Sequence, residues 1–168
     1  MNQLNRLHAI WNPHVYHGWG KTKRYFEGWY YKIVSKDQNN AFAIIPGIAM
    51  DENGKKQSFI QVLDGKNHEA IYHKFNSDKF LPTPKEHNLS IGNNIFTNKK
   101  VSLDLPNLKG QLTFTNQYPW SNSFLSPGIM GPYSFIPFME CYHGILSCLL
   151  YTSPSPRDPI GSRMPSSA

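Results

Sequence analysis

Apolar and polar residues alternate along much of this 168-residue chain with a period of two. Val101, Leu103 and Leu105 are separated by Ser102 and Asp104, and Leu112 and Phe114 by Thr113. A strand turns successive side chains to opposite faces, so this pattern gives each strand one apolar and one polar face. Strands are predicted over 26–36, which is dense in Trp, Tyr, Ile and Val, over 41–45, 58–63 and 69–75, and near 88–91 and 94–97. Turn chemistry falls between them. Asp51-Glu52-Asn53-Gly54 carries the Asn-Gly pair favoured in hairpins, Asp64-Gly65 follows the next strand, and Gly92-Asn93 separates two short ones. Pro46-Gly47 reads as a bend and Leu81-Pro82-Thr83-Pro84 as a break. Residues 116–132, with Pro119, Pro127, Gly128, Gly131 and Pro132, read as loop, and 133–146 as a last apolar strand region interrupted by Pro137. No segment sustains a 3.6-residue period beyond two turns, and no internal repeat is visible. Many short strands joined by tight turns predict an all-β domain, a sandwich or a barrel, between which strand spacing does not choose.

Composition narrows the class. Apolar residues make up 39% and charged residues 17% of the chain, too greasy and too lightly charged for disorder. There is no uncharged apolar run long enough for a transmembrane helix, and no apolar run behind the N-terminus to form a secretory signal. Two cysteines, Cys141 and Cys148, are too few for a disulfide scaffold, so a cytoplasmic location is expected. The net charge of +6 is spread along the chain rather than clustered, and no nucleic-acid-binding motif is present. Nucleic acid is therefore not an expected partner, whereas peripheral contact with an anionic membrane surface is compatible with the charge.

Candidate chemistry is sparse. No glycine loop precedes a helix to cradle phosphate, and no nucleophile elbow occurs. His14 and His17 lie three apart on no helix, and His68, His73 and His87 sit in polar sequence, as loop histidines do; no metal and no cofactor is expected. Cys141 reads as a buried structural thiol. Two carboxylates stand out because their neighbours are apolar: Glu27 in Tyr25-Phe26-Glu27-Gly28-Trp29-Tyr30-Tyr31-Lys32, and Glu140 in Pro137-Phe138-Met139-Glu140-Cys141-Tyr142-His143. An acid in apolar surroundings can keep its proton near neutral pH and deliver it to an alkene, and aromatic faces then stabilise the cation that forms. From composition alone the same residues read more readily as structural partners of a basic group or of backbone amides.

The blocks around those residues carry a resemblance. Trp11-Asn12-Pro13 with Tyr16-His17-Gly18, then Phe26-Glu27-Gly28-Trp29-Tyr30-Tyr31-Lys32, resemble the opening of the tocopherol cyclase family. Ile45-Pro46-Gly47-Ile48, Ser58-Phe59-Ile60-Gln61-Val62, Ile91-Gly92-Asn93-Asn94-Ile95-Phe96, Ser126-Pro127-Gly128-Ile129-Met130-Gly131 and Pro137-Phe138-Met139-Glu140-Cys141-Tyr142-His143-Gly144 resemble its bacterial members, in order, across 11–147. The resemblance implies an all-β, lipocalin-like antiparallel barrel with an apolar interior. It also implies acid-catalysed cyclisation, or related double-bond protonation, of a prenylated quinol or isoprenoid. From chemistry and motif position together, Glu27, Glu140 and His143 are the candidate catalytic residues, and Trp19, Trp29, Tyr31 and Tyr142 the candidate substrate-binding residues. A non-catalytic lipocalin-like binder of apolar small molecules is the alternative, since an apolar lining with few polar groups suits either.

Composition breaks after Ser147. Residues 1–147 hold 13 Lys and 15 Asn, whereas 148–168 hold neither, and nine of those 21 residues are Ser or Pro. Cys148-Leu149-Leu150-Tyr151-Thr152-Ser153-Pro154-Ser155-Pro156-Arg157-Asp158 resembles the translation of a transposase-type sequencing adapter, and Ser162-Arg163-Met164-Pro165-Ser166-Ser167-Ala168 its far end. The family's later Glu-Lys-Asp-Trp-Gly block has no counterpart. The expectation is an N-terminal part of a barrel domain over 1–147, an incomplete barrel that is inactive alone, and a non-native disordered tail over 148–168. Residues 1–147 carry 15 basic and 10 acidic side chains, a formal charge of +5.

Overall fold

The computed structural model describes residues 12, 14–115, 117–119, 129–135, 144, 145 and 147–149. Among these the chain is antiparallel β-structure with two short 3-10 turns and no α-helix. The first sheet contains β1 (Tyr25–Gly28), β2 (Tyr31–Val34), β3 (Ala41–Met50), β4 (Lys56–Asp64) and β5 (Glu69–Asn76). The second contains β6 (Phe80–Pro82), β7 (Asn88–Ile91), β8 (Asn94–Thr97), β9 (Lys100–Asp104) and β10 (Lys109–Thr113), in the spatial order of the chain. A 3-10 turn over Ser77–Lys79 joins the sheets, and β11 (Gln117–Pro119) pairs separately with β12 (Ser147–Leu149). Strand pairing thus runs to Leu149, two residues past the compositional break. Residues 150–168 lie outside the described residues.

Turns form where their residues dictate. The Asp51 carboxylate accepts from the amides of Asn53 and Lys55, at 2.9 and 2.8 Å, and Gly54 takes a φ of +84°. Asp64 holds the next turn the same way, through the amides of Lys66 and Asn67. The bend expected at Pro46-Gly47 does not occur, because both residues lie inside the ten-residue strand β3. The missing Pro46 N–H faces β1–β2 instead. Gly28 pairs with Gly47 and Tyr31 with Ile44, with no residue inserted, so β1 and β2 are one strand interrupted opposite Pro46. Trp29 bridges the gap by donating its amide to the Pro46 carbonyl at 3.0 Å. The break expected at 81–84 also moves. Leu81 and Pro82 end the edge strand β6, a place that tolerates proline. Tyr133–Phe135, expected in a strand, lies in the 3-10 turn Gly131–Phe135.

The sheets face each other across one core. Ile44, Ile48, Met50, Ile60 and Val62 come from the first sheet, and Phe80, Leu89, Ile91, Phe96, Val101 and Leu103 from the second, with Leu105 beyond it. Asn94 is buried among them with its polar atoms used: its amide donates to the Ile91 carbonyl at 3.0 Å, and its oxygen accepts from the Asp104 amide at 2.8 Å. On the outer face of the first sheet Phe59 stacks between Phe26 and Tyr72, with ring centroids 5.7 and 5.2 Å away. Gly47 leaves room for it, since a Cβ there would lie 2.5 Å from the Phe59 ring. Among the described residues the two sheets do not close into one barrel: no ladder joins β5 to β6, or β1–β2 to β10. The free edges do approach, because Tyr31 of β2 stacks on Phe114 just past β10, with centroids 6.1 Å apart and planes at 12°.

Candidate functional site

Alternation along β1–β2 turns Tyr25, Glu27, Trp29 and Tyr31 to the inner face, so three of the expected site residues share one row. Residues 14–18, which form no strand, cross the end of the row. Glu27 holds this segment. Its two oxygens accept from the His17 amide at 3.1 and 3.0 Å, Oε1 also meets His17 Nδ1 at 3.0 Å, and Oε2 accepts from the Tyr25 hydroxyl at 2.6 Å. The surroundings of Glu27 are therefore not the apolar pocket that its sequence neighbours suggest. Phe26 and Gly28 point to the other face, and polar groups from ten residues upstream meet the carboxylate.

Trp29 anchors the same segment by donating its indole N–H to the His14 carbonyl at 3.1 Å. Tyr16 then packs between Trp19, Tyr25, Trp29 and Phe80, with centroid distances of 5.2, 6.4, 6.5 and 5.2 Å. Its ring is buried, 7% exposed. Burial and then the Glu27 charge push the Tyr16 hydroxyl up to about 12. The Tyr25 hydroxyl is raised by burial first and by Glu27 next. Trp19, an expected substrate-binding residue, is 38% exposed and meets the Tyr16 ring edge-on.

His87 is the residue that sequence reasoning missed. Read as a polar loop histidine, it is 4% exposed, with the Trp29 ring 5.3 Å and the Tyr31 ring 6.1 Å away. Its Nε2 hydrogen-bonds the Tyr31 hydroxyl. Burial, and secondarily the nearby His14, push His87 down to about 4, while a hydrogen bond to the His14 backbone acts the other way. The ring is thus neutral at pH 7. In the tautomer that carries its proton on the other nitrogen, Nε2 accepts from the Tyr31 O–H. Burial raises the Tyr31 hydroxyl as well. Phe96 and Phe114, at 5.7 and 6.1 Å from Tyr31, complete a box of rings around this pair. Its sequence context, Lys85-Glu86-His87-Asn88, gives no sign of burial, because the partner lies 56 positions away. His73 likewise departs from a polar setting: its Nε2 is buried with no hydrogen-bond partner among the described residues.

Glu140, Tyr142 and His143, and with them Cys141, lie outside the described residues. Among the described residues no three His, Cys, Asp or Glu side chains are grouped to hold a metal ion, and no helix is long and apolar enough to cross a membrane. A cleft of about 200 Å³ lies away from the box, lined by Phe42, Val62, Asp64, Glu69, Ile71 and Leu108 with Asn107. Chemically, the row offers a carboxylate–imidazole contact at its outer end and a neutral Tyr–His pair enclosed by aromatic faces at its centre. Comparison of the chain with models of known families, with curated proteins and with solved structures finds no match.

Proposed function

We propose that this chain is a tocopherol-cyclase-like protein of lipocalin-like architecture that takes a prenylated quinol or a related isoprenoid against the Tyr31–His87 pair. The observation that carries the proposal is that pair, a buried phenol hydrogen-bonded to a neutral imidazole inside a box of Trp29, Phe96 and Phe114 rings. Aromatic faces suit both a quinol ring and a tertiary carbocation. The stacking of Tyr31 on Phe114, where the free sheet edges approach, supports the barrel-like arrangement.

In the proposed reaction an acid protonates the prenyl double bond and a tertiary cation forms. The phenol oxygen attacks it, a C–O bond forms, and the phenol proton leaves to a base, so the product is an isomer of the substrate. The conjugate base of that acid takes the phenol proton back. Glu27 is occupied by His17 and Tyr25, which leaves Glu140 as the candidate acid, with His143 and Tyr142 in the same block. Trp29 and Tyr31 keep their binding role, and Trp19 acts at one remove, through Tyr16.

The test is incubation with geranyl hydroquinone of a chain that carries this sequence together with the family's later Glu-Lys-Asp-Trp-Gly part, following binding by calorimetry and conversion by loss of the vinyl proton signal. Saturable binding with chromanol formation that Glu140→Gln abolishes is the expected result. Absence of binding would refute the proposal. One observation favours a second reading, a non-catalytic binder: both Glu27 oxygens already accept donors. That reading predicts binding without product, unaffected by Glu140→Gln.

A further inference from the structure

We propose that the outer face of the first sheet docks on an anionic lipid bilayer. This face lies on the side of β1–β2 away from Trp29 and Tyr31, so it stands apart from the ligand place argued above. Strand register assigns it the even positions of 26–34 and 70–76 and the odd positions of 41–49 and 57–63. The charged residues among them are Lys32 and Lys74, both exposed, and none is Asp or Glu. The acids of this part of the chain fall elsewhere. Glu27, Asp64 and Glu69 take the opposite parity, and Asp37 and Glu52 lie in turns.

The second sheet supplies the comparison. Its outer positions run across the strands as Leu81, Ser90, Ile95, Ser102 and Gln111. Asp104 and Lys109 form an ion pair on the same face at 2.7 Å. That is an ordinary solvated surface, mixed in charge. The first sheet instead presents Phe26, Tyr30 and Tyr72, which are 67%, 62% and 48% exposed. Apolar residues scattered singly over a surface carry no meaning, but these rings are joined. Phe26 and Tyr72 stack on either side of the buried Phe59, with planes at 17° and 18° to it. Gln57 donates to the Tyr72 hydroxyl at 2.9 Å. The unbroken count opposite Pro46 sets Tyr30 across from Ile45, in the row that runs through Gln61 to Tyr72. Phe26 and Tyr72 are thus held before docking, which lowers the ordering cost of binding. Tyrosine rings and lysine stems match a bilayer interface, since the apolar body enters the acyl boundary and the polar tip stays among headgroups. Two lysines and no acid on such a face select a negatively charged lipid surface.

The test is sedimentation of the full chain with phosphatidylcholine vesicles, plain or carrying about 30% phosphatidylserine. Binding to the anionic vesicles, weakened as NaCl rises from about 0.1 to about 0.5 M, is expected. Lys32→Gln with Lys74→Gln should lower the partition coefficient about 25-fold, about fivefold for each lysine. Phe26→Ser with Tyr30→Ser should lower it about tenfold. Leu81→Ser with Ile95→Ser, on the outer face of the second sheet, should leave it within about twofold. No binding to anionic vesicles, equal binding to plain ones, or an equal loss in the second-sheet variant would overturn the proposal. So would a lipid-free dimer, seen by sedimentation equilibrium, that Phe26→Ser with Tyr30→Ser makes monomeric, since the occupant would then be a second copy of the chain. Should that aromatic variant not fold, the lysine variant decides, because both lysines are exposed and their replacement removes no buried group.

Discussion

His87 should make the protein's stability depend on pH between about 4 and about 6.5. Folded, it is pushed down to about 4, chiefly by burial, whereas unfolded it returns to the ordinary value of 6.5. Between those values the unfolded chain carries a proton that the folded chain lacks. Stability therefore rises with pH across the window, is fully present above about 6.5 and is lost as pH falls toward 4. A gap of about 2.5 pH units corresponds to about 3 kcal/mol at 1.36 kcal/mol per unit. Among the described residues the titratable groups that act on His87 are His14 and the Tyr31 hydroxyl. The assay is urea unfolding from pH 4 to 8 on the parent and on His87→Gln, whose amide can still donate to the His14 backbone and accept from Tyr31. Exposed carboxylates such as Asp37, Asp64 and Asp104, each held low by hydrogen bonds, titrate in both proteins and cancel in the difference. The parent should lose about 3 kcal/mol more than the variant between pH 7 and pH 4. A difference constant within about 0.5 kcal/mol over that range would refute the reasoning.

Glu27→Ala should cost about 3 kcal/mol, because it strips a charged acceptor from the His17 amide, the His17 ring and the Tyr25 hydroxyl; Glu27→Gln, which keeps one acceptor oxygen, should cost about 1 kcal/mol. Equal losses in urea titrations would show that the bonds at this carboxylate do not act separately. Asn94→Ala should cost about 2 kcal/mol by leaving the Asp104 amide and the buried Ile91 carbonyl unpartnered, and a loss below about 0.5 kcal/mol would mean that water replaces the amide side chain.

The strands were legible wherever alternation was strong. The aromatic-dense run over 26–36 marked a strand without showing which of its residues face inward, and Asn53-Gly54 and Gly92-Asn93 turned where their chemistry demanded. Pro46 misled because proline's missing donor is a statement about one neighbour, not about the strand that contains it. β3 remains paired to β4 on its other side, and the cost falls on β1–β2. The site was legible only in part. Glu27 looked like an isolated acid because sequence adjacency mixes the two faces of a strand. His17, which meets it, is ten positions upstream, and His87, which meets Tyr31, is 56 positions downstream. No local pattern encodes contacts of that range.

The interruption opposite Pro46 also sets how the protein counts its residues. Two short ladders hold β1 and β2 to β3, and between them only the Trp29 amide spans the gap. A strand with a continuous ladder has its register checked at every pair of residues, but here one stretch goes unchecked. Trp29 serves as the ruler across it, with its amide on Pro46 and its ring beside Phe80. Loss or gain of a single residue at 29–30 would leave Tyr25 and Glu27 in place and turn Tyr31 and Ile33 outward together. Such a chain could fold with its carboxylate cluster intact and its Tyr–His pair abolished. Insertions and deletions at this point would thus divide the two halves of the row more cleanly than any point substitution.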